Sequence, residues 1–257
     1  MDLTVTGWAA IGVAILMSGF WLVSLPLRNA SIADIAWGLA FVVVAWAAVL
    51  AGSGSGASIF LAAGVTIWGV RLAGYIAWRN RGHGEDRRYV AMRDKRPGSF
   101  WLWSLFGVFL LQGLLALVIS IPVQSLGAAG EPSIGILSVV GALVFLTGLF
   151  FEVVGDAQLA SFKADPDNRG KVMDRGLWRY TRHPNYFGDA LLWWGIWLFA
   201  VGSGAAWWTL PGPVVMTFFL LRVSGVAMLE SDISERRPAY AEYIRRTSAF
   251  IPRPPRD

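Results

Sequence analysis

The strongest constraint on this chain is a series of seven apolar stretches, at about residues 5–27, 34–51, 57–79, 100–121, 134–155, 186–203 and 206–228. Each is near the length of about 20 residues that a helix needs to cross a bilayer. In hydrocarbon a backbone must satisfy its own hydrogen bonds, and within one segment only a helix does so. The 257 residues are 55% hydrophobic and only 15% charged, where soluble domains carry about 25% charged residues. The expected fold is therefore all-α, a polytopic membrane helix bundle of about seven transmembrane helices forming one integral membrane domain, 1–257. The first apolar run lacks a basic leader and is followed by further spans, so it reads as a retained helix.

Charge placement sets the expected orientation. Loops 80–99 and 156–185 and the tail after 228 hold nearly all the Lys and Arg, whereas loops 52–56, 122–133 and 204–205 hold none. Positive loops stay inside, which places the N-terminus outside and the C-terminus in the cytoplasm. A multi-pass protein of the bacterial inner membrane is the expectation, with membrane lipids as neighbours, no nucleic-acid partner and nothing to name a protein partner. There are no cysteines and two distant histidines, His83 and His183. Disulfides, thiolate chemistry and a metal site are thereby excluded. No GxGxxG occurs, and Gly52–Gly56 follows no strand and lacks the lysine of a phosphate loop.

Polar groups within or beside apolar helices are costly and mark functional candidates. Gly176–Asp189 (GLWRYTRHPNYFGD) gathers Arg179, Arg182, His183, Asn185, Tyr186 and Asp189 at the mouth of one span. Glu152 and Asp156, four apart, project from one helical face, with Lys163 beyond them. Arg222 interrupts the last span and Glu230 follows two turns later. Positive-inside bias explains the loop arginines but not Arg222. Near the N-terminus, Asp34 either completes a capping box with Ser31 or points into the bundle as an acid. Arg71 and Tyr75 share a helical face, and Gln112 suits an interhelical hydrogen bond. Tyr240, Tyr243 and Ile244 would let the tail lie on the membrane. Guanidinium groups for phosphates and carboxylates for ribose hydroxyls match a phosphorylated nicotinamide dinucleotide. S-adenosylmethionine, with no phosphate, would need fewer arginines.

GLWRYTRHPNYFGD, with ASIADIAWG, Glu152…Asp156 and Arg222…Glu230, resembles the membrane steroid 5-alpha-reductase superfamily, specifically its bacterial branch. The resemblance is best over about 140–257. It implies a seven-helix enzyme that reduces a carbon–carbon double bond conjugated to a carbonyl, with NADPH at the cytoplasmic side. Residues 131–257 would hold the cofactor, and 1–130 a lipophilic substrate entering from the bilayer. Asp156, Asn185 and Arg222 match cofactor contacts of the family. Glu152, Lys163 and Glu230 fall at cofactor positions where other members carry different residues. Phosphates are expected on Arg179, Arg182 and Arg222. Asp34 takes the place of a substrate-binding Glu, and Trp68 stands where the family has a Tyr, with Tyr75 two turns on. The catalytic candidates are accordingly Asp34 and Tyr75, with Trp37, Trp68 and Arg71 facing substrate. RHPNY, Tyr240 and Tyr243 also resemble membrane methyltransferases of the isoprenylcysteine carboxyl methyltransferase kind, which leaves S-adenosylmethionine as the alternative cofactor.

Overall fold

The computed structural model describes residues 2–223, 225, 226, 230 and 239–256. Every regular element among them is helical: α1 Leu3–Leu27, α2 Ile32–Ala51, α3 Gly56–Asn80, α4 Arg87–Asp94, α5 Phe100–Ile119, α6 Ile121–Gly127, α7 Ile136–Ala164, α8 Pro184–Gly202, α9 Pro211–Phe218 and α10 Ala239–Arg246. Five of these (α1, α2, α3, α5 and α7) are long and apolar enough to cross a membrane. The other two expected spans differ. α8 has 19 residues and opens on the polar PNYFGD segment. The stretch expected from 206 begins instead with a 3-10 turn at Trp207–Thr209, because Pro211 and Pro213 suit only a helix start. It then passes into a π-helical turn, Phe219–Val223.

Contacts divide the chain into two compact units. The first comprises Met1–Ile136 and Ala200–Pro211. Within it α2 is the central helix, with Ala33, Ala36, Ala40, Ala45 and Ala48 buried. It meets α3 at Gly38 and Gly69, where a Cβ on either would sit 2.5 Å from the other's carbonyl oxygen. Trp46 Nε1 donates to Thr66 Oγ1 across the same pair at 3.0 Å. Large apolar side chains such as Ile15, Leu50 and Ile67 point outward, as lipid contact requires. The loop 80–99 contains a helix of its own, α4, started by Asp86, whose side chain accepts from Arg88 N.

The second unit comprises Leu137–Phe199 and Gly212–Asp257. Here α7 runs on to Ala164 instead of ending near 155, since no breaker occurs before Pro166. It packs against α8 through glycines at seven-residue spacing: 141, 148 and 155 on α7, 188 and 195 on α8. A Cβ on Gly148 would meet Leu192 N at 2.5 Å and Gly188 O at 2.6 Å, and one on Gly188 would meet Glu152 N at 2.5 Å. Small residues let two backbones touch where no hydrophobic effect drives association. Gly148→Leu should therefore separate the pair at a cost of several kcal/mol, since overpacking by even a methylene or two costs about 1–3 kcal/mol. Gly19→Leu on α1, which faces open space, is the control. Comparable melting temperatures for the two variants would exclude this packing.

Candidate functional site

The glycine contacts place the polar residues of the second unit. α7 presents Glu152, Gly155 and Asp156 on its buried face, and α8 presents Gly188 and Asp189. Asn185, in the first turn of α8, donates through Nδ2 to Asp156 Oδ1 at 3.1 Å. Asn185 Oδ1 is buried with no hydrogen-bond partner among the described residues. The face so formed is rich in acceptors. A buried acceptor without a donor costs about 1–3 kcal/mol, so the site favours a ligand bringing hydroxyl or amino protons.

Arg182, His183 and Glu230 form a second cluster. Arg182 Nε and Nη2 donate to the two Glu230 oxygens at 2.7 and 2.8 Å, and Nη1 donates to the carbonyls of Ile244 and Thr247. His183 Nε2 lies 2.9 Å from Glu230 Oε1, and its ring stacks on Tyr186 at 5.6 Å. Burial alone would raise the Glu230 carboxyl, but the bonds from His183 and Arg182 outweigh it and hold it down at about 2. The guanidinium of Arg182 thus fastens the tail to the loop before α8. The tail is held further by Tyr243, whose hydroxyl donates to Trp178 O, while Trp178 Nε1 donates to Gly155 O at 3.0 Å. Tyr240 and Tyr243 are consequently buried in protein, not laid on the membrane. Arg182 N to Ser248 O (2.9 Å) and Arg253 N to Tyr180 O (3.0 Å) complete the clasp.

The positive groups expected at this site differ in burial. Lys163, Arg179 and Arg222 are exposed, and the buried cation, Arg182, is engaged by Glu230. The interior face is carboxylate-rich because the glycine stripe lies on the same side of α7 as Glu152 and Asp156.

In the first unit Asp34 does not cap α2. Ser31 makes no side-chain capping bond, and its hydroxyl instead accepts from Asp86 N at 2.7 Å. Asp34 Oδ2 accepts from Arg88 Nη2 and Oδ1 from Tyr89 Oη, both at 2.6 Å. Gln112 Nε2 donates to Tyr89 Oη at 3.3 Å, so its bond reaches the loop helix α4, and Gln112 Oε1 is buried without a partner among the described residues. Burial first, then the charge of Asp34 and the bond to it, push the Tyr89 phenol up, so it stays protonated. Glu85 secures the same loop by accepting from Ala30 N (2.7 Å) and Arg93 Nη2 (2.8 Å).

Further along, Trp37, Phe41 and Trp68 form an edge-to-face ladder with centroid spacings of 4.9 and 5.4 Å, and Trp68 is fully buried. Tyr75 lies between the guanidinium groups of Arg71 (5.2 Å) and Arg79 (5.9 Å). The sequence thus singled out Asp34, and Gln112 as a hydrogen-bonding residue, but not Arg88 or Tyr89. The available signal for those two was the ED-x-RY run of loop 80–99, read only for its positive charge.

A family model described as a protein of unknown function, DUF1295, matches residues 20–247. The chain belongs to the DUF1295 family. That family is part of the steroid 5-alpha-reductase superfamily. An uncharacterized protein of Schizosaccharomyces pombe is 27% identical, over 73% of this chain and 61% of its own length. A probable O-methyltransferase of Ustilaginoidea virens, ustE, is 29% identical over 56% of this chain and 45% of its own. The steroid 5-alpha-reductase DET2 of Arabidopsis thaliana is 38% identical over a shorter stretch, 22% of each chain. The chain therefore spans less than two thirds of the length of each of these relatives. No solved structure matches it.

Proposed function

We propose that this DUF1295 protein is an NADPH-dependent membrane reductase acting on a carbon–carbon double bond conjugated to a carbonyl in a lipophilic substrate. The observation that carries the proposal is the part-buried Asp156–Asn185 pair, with the buried Asn185 Oδ1 awaiting a donor on the glycine-pinched α7–α8 face. Membership of the steroid 5-alpha-reductase superfamily supports the same reading. Asp156, Asn185, Glu152 and Asp189 suit ribose hydroxyls and the carboxamide, all of them donors. Exposed Arg179, Arg222 and Lys163 would take phosphates. Arg182, His183 and Glu230 hold the loop from which Asn185 projects, and Tyr186 packs against that loop's His183. NADPH when bound supplies the hydride. On the substrate side, negative charge develops on the carbonyl oxygen, and a donor aimed there lowers the barrier. Asp34 with Tyr75 or Tyr89 provides the phenol and carboxyl groups, while Trp37, Trp68 and Arg71 line the approach from lipid. In this reading the basic loops face the cytoplasm of a bacterial inner membrane.

One observation favours S-adenosylmethionine-dependent methyl transfer as a second reading: the buried guanidinium of Arg182 is spent on Glu230, so it offers phosphate nothing. Thermal melts of the purified protein with each ligand separate the two. NADPH is expected to raise the midpoint, the rise tracking RT ln(1 + [L]/Kd), and Asn185→Leu to abolish the effect. A shift with S-adenosylmethionine alone would reverse the assignment, and no shift with either would dismiss both.

A further inference from the structure

The clasp between tail and loop gathers charge that neither segment carries alone. The contact of Arg246 with Asp174 at 3.9 Å brings the C-terminal end of α10 beside the loop that carries Arg175. Arg256 N then donates to Arg246 O at 2.9 Å, and Arg253 N to Tyr180 O at 3.0 Å. Arg175, Arg245, Arg246, Arg253 and Arg256 all lie exposed on this surface, against the carboxylates of Asp174 and Glu242. Two large side chains stand uncovered among them: Tyr180 is 44% exposed and Ile251 is 54% exposed. Tyr240 and Tyr243 of α10 are buried, Tyr243 bonding Trp178 O, whereas Arg245 and Arg246 are exposed. The loop that carries part of this surface runs between α7 and α8, and the tail follows α10.

We infer that loop 174–180 and tail 245–256 form a docking surface for anionic phospholipid headgroups, and that lipid bound there fastens the tail to the loop. Guanidinium forks match lipid phosphates bidentately. Basic residues near an anionic leaflet are attracted within a Debye length of it. A soluble phosphorylated ligand would satisfy the arginines but leave Tyr180 and Ile251 in water. A membrane interface takes all three, since tyrosine and aliphatic side chains settle at headgroup level. Lipid that binds only the clasped arrangement stabilises it by linkage. This inference stands independently of the proposed reductase activity.

Hydrogen exchange on the full-length protein in nanodiscs tests it. In discs of phosphatidylcholine with phosphatidylglycerol, amides of 243–256 should exchange on the order of tenfold more slowly than in phosphatidylcholine alone. Raising salt should remove the difference, as screening demands. The triple variant Arg245→Gln, Arg253→Gln, Arg256→Gln should exchange alike in both discs, with its melting temperature in phosphatidylcholine unchanged. Equal exchange of the wild-type tail in the two lipids overturns the inference. So does protection of the tail by NADPH or inorganic phosphate in phosphatidylcholine discs that the triple variant loses, which would assign the surface to a soluble phosphoryl group. If the triple variant fails to fold, the wild-type salt titration alone decides.

Discussion

Glu230→Gln is expected to lower the melting temperature by roughly 10 °C, the consequence of losing on the order of 3 kcal/mol. Breaking one side of a buried ion pair strands the other. Arg182, 7% exposed, would keep its two carbonyl partners but lose the carboxylate that takes Nε and Nη2. His183 would lose its contact as well. The same carboxylate gives the pH dependence. Its folded value, about 2, lies below the ordinary 4.5. A depressed carboxyl contributes stability that is fully present above the ordinary value and is lost as pH falls toward the folded one. The wild type should therefore lose stability between about pH 4.5 and 2, and Glu230→Gln should show less change over that window. Thermal melts in detergent across that range, on both proteins, check it. Identical pH profiles, or a variant as stable as wild type at pH 7, would mean that Glu230 does not hold the clasp.

What could be read in the sequence divides by how far apart the partners lie along the chain. Glu152 and Asp156 share a face because four residues make about one helical turn, and the structure buries both. Asn185 was legible as a polar residue at a helix mouth, though not as the partner of Asp156, 29 residues earlier. Arg182 shows the limit of reading residue types: a guanidinium near carboxylates suits a phosphate, but spacing does not reveal that Glu230 already occupies it. The tail tyrosines were recognisable as one apolar face. Whether protein or lipid covers such a face depends on tertiary packing, and here both tyrosines are buried in protein, Tyr243 bonding Trp178 O. The glycines at 141, 148, 155, 188 and 195 do recur at seven residues, but a period alone names no partner helix, and the α7–α8 seam emerged only from the packing. Five spans followed from hydropathy, although α7 runs past its expected end to Ala164 and prolines 211 and 213 moved a helix start.

Tyr89→Phe and Asp34→Asn are expected to cut turnover by on the order of 10²- to 10³-fold, the usual cost of removing a donor aimed at developing charge. The probe is NADPH oxidation with a lipophilic enone such as a 3-oxo-4-ene steroid. The geometry distinguishes the two residues' tasks. Both Asp34 oxygens accept, one from Arg88 and one from Tyr89, so the hydrogen in this pair sits on the phenol. In the proposed reaction Asp34 would position Tyr89, whose single hydrogen, donated here to Asp34, would have to turn to the substrate oxygen. Gln112 braces the phenol oxygen from the other side. Trp68 stands where the superfamily resemblance places a tyrosine, and it is buried against Phe41. In the proposed reaction the Tyr89 phenol, on α4, would stand in for that tyrosine's hydroxyl from a different element. Tyr75, between Arg71 and Arg79, is the competing donor, so Tyr75→Phe belongs in the same series. A loss confined to Tyr75→Phe would return the donor role to α3. Tyr89→Phe should leave the NADPH-induced melting shift intact, because Tyr89 is not among the proposed cofactor contacts, Asp156, Asn185, Glu152 and Asp189. Turnover within a factor of a few of wild type in both Tyr89→Phe and Asp34→Asn, with melting temperatures preserved, would remove this cluster from the chemistry and leave it as the staple that holds α4 to α2.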